Sequence, residues 1–281
     1  LPFFSSMLVT NDVALLIFIP FTLELLAQLG FKKAMIPIIV LQTVAANLGS
    51  MATPVGNPQN LFLYAAYNLS AGDFFSVVLP LTAVSFLYIA AAAFPVLPKE
   101  LSRQELKEEQ ISSVRNLLIY VALFALCLLT VFRIVPYPVT TAIIVVVLFL
   151  LNKSLLKQID YMLLLTFVCF FVVSENLGQV DFVRNFLQNL LNQNTLLTSV
   201  GASQIISNVP AAVLLSGFTD QWRELLAGVN IGGLGTPIAS LASLITLKLY
   251  MRWPGAETVR FLGIFTVANV VGLAILLAFS M

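Results

Sequence analysis

The sequence has 281 residues, 59% of them hydrophobic and only 10% charged, with a net charge of +1, no histidine and a mean hydropathy of +0.99. A soluble domain carries about 25% charged residues, so there is too little charge here to cover a water-facing surface of this size. A soluble enzyme and a nucleic-acid binder are excluded on that ground, and the missing histidine and absent CxxC pair argue against zinc, haem and His-based acid–base chemistry.

The chain opens at Leu1 with no basic segment before its first apolar stretch, which reads as an N-terminal truncation rather than a signal peptide. The apolar run 8–29 begins at the polar cluster Thr10-Asn11-Asp12. A carboxylate opening a long apolar segment is costly unless solvated, paired or protonated. Asp12 is therefore either a coupling-ion ligand or proton carrier, or a helix N-cap. The next run, 34–46, stops at Asn47 and meets NLGSMATPVGNPQN before apolar character resumes at Leu61. A spanning helix needs roughly 20 mostly apolar residues, and the run 73–97 meets that.

The charged stretch LSRQELKEEQ within 98–114 reads as a cytoplasmic linker between a first, incomplete repeat (1–97) and a second repeat (115–281). Runs over 115–133, 137–152 and 160–177 follow, then an amphipathic piece, 180–192, with Phe182, Phe186, Leu187, Leu190 and Leu191 at helical spacing. Cys127 and Cys169 sit inside apolar runs and read as small buried hydrophobes. Glu175 reads as an interfacial charge or a cavity residue. The segment 195–206 reaches Ser207-Asn208-Val209-Pro210 and stays apolar to about 218; 222–229 meets NIGGLGTPIAS and resumes to about 251; a last run covers 257–280. With the linker inside, all but Arg133, Arg184 and Arg223 of the 14 Lys and Arg fall on the cytoplasmic side, a strong positive-inside bias.

Residues 47–61 lie over 230–244 without gaps: Asn47 on Asn230, Gly49 on Gly232, Thr53 on Thr236, Pro54 on Pro237. Upstream, Thr10-Asn11 lies over Ser207-Asn208. Each half thus reads as a polar-tipped re-entrant hairpin followed by a discontinuous helix, and the charges put the two hairpins on opposite sides of the membrane. The expected architecture is an all-α, inverted-repeat transporter with its site near the midplane. Broken helices at membrane depth expose N–H and C=O groups that are tolerable only when buried or lining a wet cavity. Their N-termini suit an anion, their carbonyls suit Na⁺, and glycines let backbone approach a ligand closely.

These residues resemble the ion transporter superfamily of arsenite permeases, D-type sodium–proton antiporters and divalent-anion:sodium symporters. Thr10-Asn11-Asp12 and Ser207-Asn208-Val209 look like its hairpin tips, and TPVGNPQN and TPIASLAS like its unwound segments. Asp12 and Val209-Pro210 depart from the symporters' Ser-Asn-Thr motif. The resemblance implies a substrate and ion site at Thr10, Asn11, Asp12, Asn47, Gly49, Thr53, Pro54, Gly56, Asn57, Asn60, Ser207, Asn208, Pro210, Asn230, Gly232, Thr236, Pro237 and Ser240, with Na⁺ at Asn11, Asp12, Asn208 and the backbone of the breaks. It implies a multi-pass protein of the cell (inner or plasma) membrane that carries an arsenite-like oxyanion or a carboxylate coupled to Na⁺ or H⁺. The alternatives are a Na⁺/H⁺ antiporter and, more remotely, an ion channel. No enzymatic activity and no cofactor beyond the coupling ion are expected. The expected partners are membrane lipid, the small anion or cation carried and a second copy in a homodimer, but no nucleic acid. No GxxxxGK[ST] sequence is present, so ATP drive within the chain is not expected.

Overall fold

The computed structural model of the protein describes residues 1–96, 113–159 and 161–281. Every regular element among them is helical: α1 (Pro2–Ser5), α2 (Asn11–Gln28), α3 (Lys32–Ser50), α4 (Pro58–Ala66), α5 (Ala71–Ala93), α6 (Val114–Val131), α7 (Tyr137–Lys157), α8 (Tyr161–Gly178), α9 (Asp181–Ile206), α10 (Asn208–Ser216), α11 (Trp222–Ile231), a 3₁₀ turn (Pro237–Ala239), α12 (Leu241–Met251) and α13 (Thr258–Ser280). Six of these, α2, α3, α5, α6, α7 and α13, are long and apolar enough to cross a membrane. The linker expected over 98–114 lies, up to residue 112, outside the described residues.

Local chemistry sets the ends of these helices. The hydroxyls of Thr10, Ser70 and Ser113 accept backbone N–H groups at the starts of α2, α5 and α6. Pro58 opens α4 at a position that needs no N–H. Gly30, at φ +77°, follows the end of α2 in the left-handed conformation that terminates helices. The amphipathic piece expected at 180–192 is the first part of α9, which kinks where Asn194 leaves helical geometry (φ −163°, ψ 99°).

The chain forms two compact units, Leu1–Glu100 with Cys169–Met281, and Leu101–Val168. In the smaller unit α6 and α7 pack together, with the Thr130 and Thr140 hydroxyls hydrogen-bonded. Neither helix buries a hydrophobic side chain. Surfaces of that kind need lipid. For the same reason the cysteines are not the buried hydrophobes expected: Cys127 is half-buried and Cys169 exposed. In the larger unit one apolar core gathers Leu15, Ile19, Ile39, Val44, Phe261 and Phe265 from α2, α3 and α13. A second gathers Leu63, Ala211, Leu225 and Val229 from α4, α10 and α11.

Two places in the larger unit interrupt the winding. Pro54 has no N–H to give the carbonyl four residues back, so α3 ends at Ser50 and helix resumes at Pro58. Pro237 stands in the equivalent interruption between α11 and α12. The interruptions therefore start later than the sequence suggested. Asn47, Gly49 and Asn230 lie in the last helical turns of α3 and α11, because a proline frees only carbonyls about one turn before it.

Candidate functional site

Two connections face these interruptions. Residues 6–10 join α1 to α2, and Ser207 alone joins α9 to α10, which pack against each other. Ser207 adopts φ +73°, ψ 154°, a region a non-glycine residue occupies only when its surroundings hold it there. Its hydroxyl donates to the Ala239 carbonyl at 3.3 Å.

The same contacts recur in both halves. The Thr53 hydroxyl donates to the Met7 carbonyl at 2.6 Å, and its counterpart Thr236 donates to the Gln204 carbonyl at 3.2 Å. The first bond ties an interruption to the connection that faces it, and the second ties the other interruption to the last turn of α9, just before its connection. The carbonyls of Met51 and Leu234, equivalent under the same superposition, are each capped by a carboxamide. In the first half it is Asn60 Nδ2, 3.2 Å from Met51 O and 3.3 Å from Thr53 O. In the second it is Gln204 Nε2, 2.8 Å from Leu234 O and 2.9 Å from Gly232 O. Gln204 Oε1 also accepts the Thr236 N–H at 2.9 Å. The freed carbonyls are thus met by side chains, as buried backbone requires.

Two further bonds cross between the halves. Asn47 Nδ2 donates to Ser243 Oγ at 3.2 Å, and Asn230 Nδ2 donates to Asn60 Oδ1 at 2.7 Å. Asn47 lies over Asn230 and Asn60 over Ser243, so this is one contact made twice. Asn47 Oδ1 also accepts from Asn11 Nδ2 and Ser240 Oγ, both at 3.0 Å. The Asn11 N–H donates to the Gly56 carbonyl at 3.2 Å. Below this cluster, away from the interruptions, Thr43 donates to Thr246 at 3.0 Å and Gln42 to Thr22 at 2.8 Å. The N-terminal ends of α2, α10 and α12 consequently meet in one hydrogen-bonded set: Asn11 to Asn47, Asn47 to Ser240, Ala239 to Ser207. Through Gly56 that set reaches the loop just before α4. Each helix start carries a partial positive charge, although the first N–H groups of α2 are already paired, with Gly56 O, Asn11 Oδ1 and Thr10 Oγ1.

Not every expected residue does what the sequence suggested. Asp12 is half-buried in the first turn of α2, but Thr10 is the N-cap, accepting from Val13 N–H at 3.4 Å. The Asp12 carboxylate makes no hydrogen bond or ion pair among the described residues, and its own N–H goes to Asn11 Oδ1 at 2.9 Å. The glycines do permit close approach, but by the protein itself. A Cβ on Gly49 would run into the Phe3 carbonyl, and one on Gly235, held at φ +109°, into the Gln204 carboxamide. Pro54, Pro210 and Pro237 have no N–H and act on the backbone alone. Asn208 is buried and its Nδ2 lies against Gly233. Asn57 Oδ1, Gln59 Nε2 and Asn230 Oδ1 are buried without a hydrogen-bond partner among the described residues; such groups cost about 1–3 kcal/mol each. Glu175 lines a separate cavity of about 550 Å³ with Arg184, Gln179 and Ser216.

Sequence reasoning missed Gln204, Ser243 and Thr246. Ser243 could have been found, because it is the counterpart of Asn60. Gln204 was visible only as a lone carboxamide in the run 195–206.

The profile of the CitMHS citrate transporter family matches residues 1–220. An uncharacterised transporter of Methanocaldococcus jannaschii is 36% identical over 283 residues, covering 100% of this chain and 77% of that protein. The inner membrane protein YbiR of Escherichia coli is 30% identical over 250 residues, covering 87% of this chain and 66% of its own length. A silicon efflux transporter of rice, Oryza sativa, is 37% identical over 76 residues, which is 27% of this chain and 15% of that protein.

Proposed function

The chain belongs to the CitMHS citrate transporter family, within the ion transporter superfamily, and is a multi-pass membrane protein; from that premise we propose that it is a secondary active transporter of a small anion, an oxyanion or a carboxylate, coupled to Na⁺ or H⁺. Two inverted repeats, each a re-entrant hairpin followed by a discontinuous helix, carry the site in this reading. The observation that carries it is the contact made twice across the halves, Asn47 with Ser243 and Asn230 with Asn60. A chance likeness of Gly and Pro would not make the two interrupted helices exchange equivalent carboxamide bonds.

Joined helix N-termini supply the physical reason for an anion. Neutral N–H groups and helix dipoles balance negative charge without a fixed cation that would be left without its counter-charge on release. A citrate transporter family and a silicon efflux relative favour small, oxygen-rich solutes. Neighbouring carboxamides and hydroxyls give such a solute donors as well as oxygens for its coupling ion. Asp12, whose carboxylate has no partner among the described residues, sets an ionisable group at the edge of this set and favours the second reading, a Na⁺/H⁺ antiporter. The buried site residues are reached only when the hairpins and the rest of the protein move relative to one another, as alternating access requires.

The test is flux in proteoliposomes against a panel of citrate, smaller carboxylates, arsenite and silicate, with imposed Na⁺ or H⁺ gradients. Saturable uptake of one class that collapses with the matching ionophore is the expected result. Na⁺/H⁺ exchange without any anion flux would favour the antiporter. Non-saturating flux indifferent to ionophores would make the protein a channel.

A further inference from the structure

The cavity that Glu175 lines lies outside the interruptions, at the far end of α10 from Ser207. Its volume, about 550 Å³, falls within the roughly 300–1,000 Å³ of small-molecule sites. One wall is the end of α8. Phe171, Glu175 and Gly178 are spaced i, i+4, i+7, which puts them on one face of that helix. The chain turns after Gly178, and Arg184 reaches the cavity from the start of α9. The opposite wall is the end of α10 with Phe62 of α4.

Contacts on each side hold these walls in place. The Phe62 and Phe171 rings stand 5.3 Å apart, tilted by 59°. A Cβ on Gly178 would sit 3.7 Å from the Phe218 ring, so that ring packs on the end of α8. The Tyr67 hydroxyl, just past α4, donates to the Thr219 carbonyl at 2.7 Å and the Ser216 carbonyl at 3.2 Å, and so fastens the end of α10 to α4. Two charged side chains line the cavity, one of each sign. Glu175 and Arg184 are both exposed, and neither makes an ion pair or a side-chain hydrogen bond among the described residues.

We propose that this cavity binds a small amino-carboxylate zwitterion, with its carboxylate on Arg184 and its ammonium on Glu175. Opposite charges that share a cavity without closing on each other fit a solute charged at both ends. An anion alone satisfies Arg184 and is repelled by Glu175, and a cation alone does the reverse. A zwitterion meets both, while the apolar carbons between its charges lie against Phe62, Phe171 and Phe218. The planar guanidinium matches a carboxylate with paired N–H donors. Ser216 Oγ donates to the Val213 carbonyl at 2.9 Å and can still accept from an ammonium. The proposal stands apart from the transport reading, because it uses no residue of the interruptions.

The experiment is thermal unfolding of the purified protein titrated with γ-aminobutyrate, with butyrate and butylammonium at matched ionic strength as references carrying one charge each. A ligand that binds only the folded state raises the melting temperature with its concentration. We expect a saturable rise with γ-aminobutyrate and none with either reference. Glu175→Gln and Arg184→Gln each remove one charge and keep a polar side chain. Each should weaken the response about tenfold or more, the scale of one hydrogen bond to a charged group. Each should leave the melting temperature without ligand unchanged, since both side chains are exposed. The exchange Glu175→Arg with Arg184→Glu restores one charge of each sign, and should recover more of the response than either single variant keeps. A melting temperature indifferent to γ-aminobutyrate makes the pair two solvated surface charges and overturns the proposal. An equal response to butyrate overturns it too, because Arg184 alone then suffices. So does a wild-type response in both single variants, which places the ligand elsewhere on the protein.

Discussion

Replacing Gln204 by methionine keeps the length and shape of the side chain and removes its polar end. Three interhelical hydrogen bonds go with it, those to the Gly232 and Leu234 carbonyls at 2.9 and 2.8 Å and the one from Thr236 N–H at 2.9 Å, besides a longer one within α9 to the Val200 carbonyl at 3.4 Å. Interhelical hydrogen bonds in membrane proteins average about 0.6 kcal/mol, which gives about 2 kcal/mol for three. Backbone groups left unpaired in a buried site raise the cost, so the loss should lie at about 2–4 kcal/mol. For a chain of this size that is roughly 5–10 °C in the unfolding temperature of the purified protein. Gln204→Glu tests the direction of the bonds. It turns the donor into an anionic acceptor opposite two carbonyls, and should destabilise more than methionine does. A loss under about 1 °C for Gln204→Met would refute the assignment of Gln204 as the clasp of the second interruption. Glu tolerated better than Met would reverse the assigned orientation of the carboxamide.

Asp12→Asn should leave thermal unfolding within about 1 kcal/mol of wild type, because Thr10 caps the helix and the carboxylate makes no bond among the described residues. In the proteoliposome assay it should abolish or shift the dependence of flux on the driving cation or on pH; an unchanged ion and pH profile would remove Asp12 from coupling. Gly49→Ala forces a methyl group into the Phe3 carbonyl and should cost about 1–3 kcal/mol in the same unfolding assay. Gly263→Ala in α13, where a Cβ meets nothing, should stay within about 0.5 kcal/mol of wild type or gain slightly, since alanine favours helix; equal losses at the two positions would refute the close approach of α1 to α3.

Much of the fold is written in local signals. Apolar runs bounded by Thr10, Ser70, Ser113 and Pro58 mark helix starts, because caps and N1 prolines act within a few residues of themselves. The residues of the candidate site were legible for a different reason. Asn47, Asn60 and Ser240 stand out because the second half repeats their pattern, and a repeated departure from apolar character needs a common cause. What the pattern could not give was partnership. Nothing in NLGSMATPVGNPQN says that Asn47 bonds Ser243, a residue 196 positions away. Nothing in it says that the glycines admit the protein's own backbone rather than a ligand.

Unequal filling of the halves is the part of the site that pattern matching conceals most effectively. Superposition rewards likeness, so Asn57 over Ser240 reads as a tolerable change between small polar residues. In a buried site it exchanges a hydroxyl that donates for an oxygen that only accepts. In water that exchange would matter little, because solvent supplies the missing donor. At Asn57 and Asn230, both nearly inaccessible, it decides whether an acceptor is satisfied by the protein. Two stretches that look alike in sequence are in this way filled unequally: at one, Asn47 Oδ1 is saturated by Asn11 and Ser240, while at the other the Asn57 and Asn230 oxygens are left without a donor among the described residues.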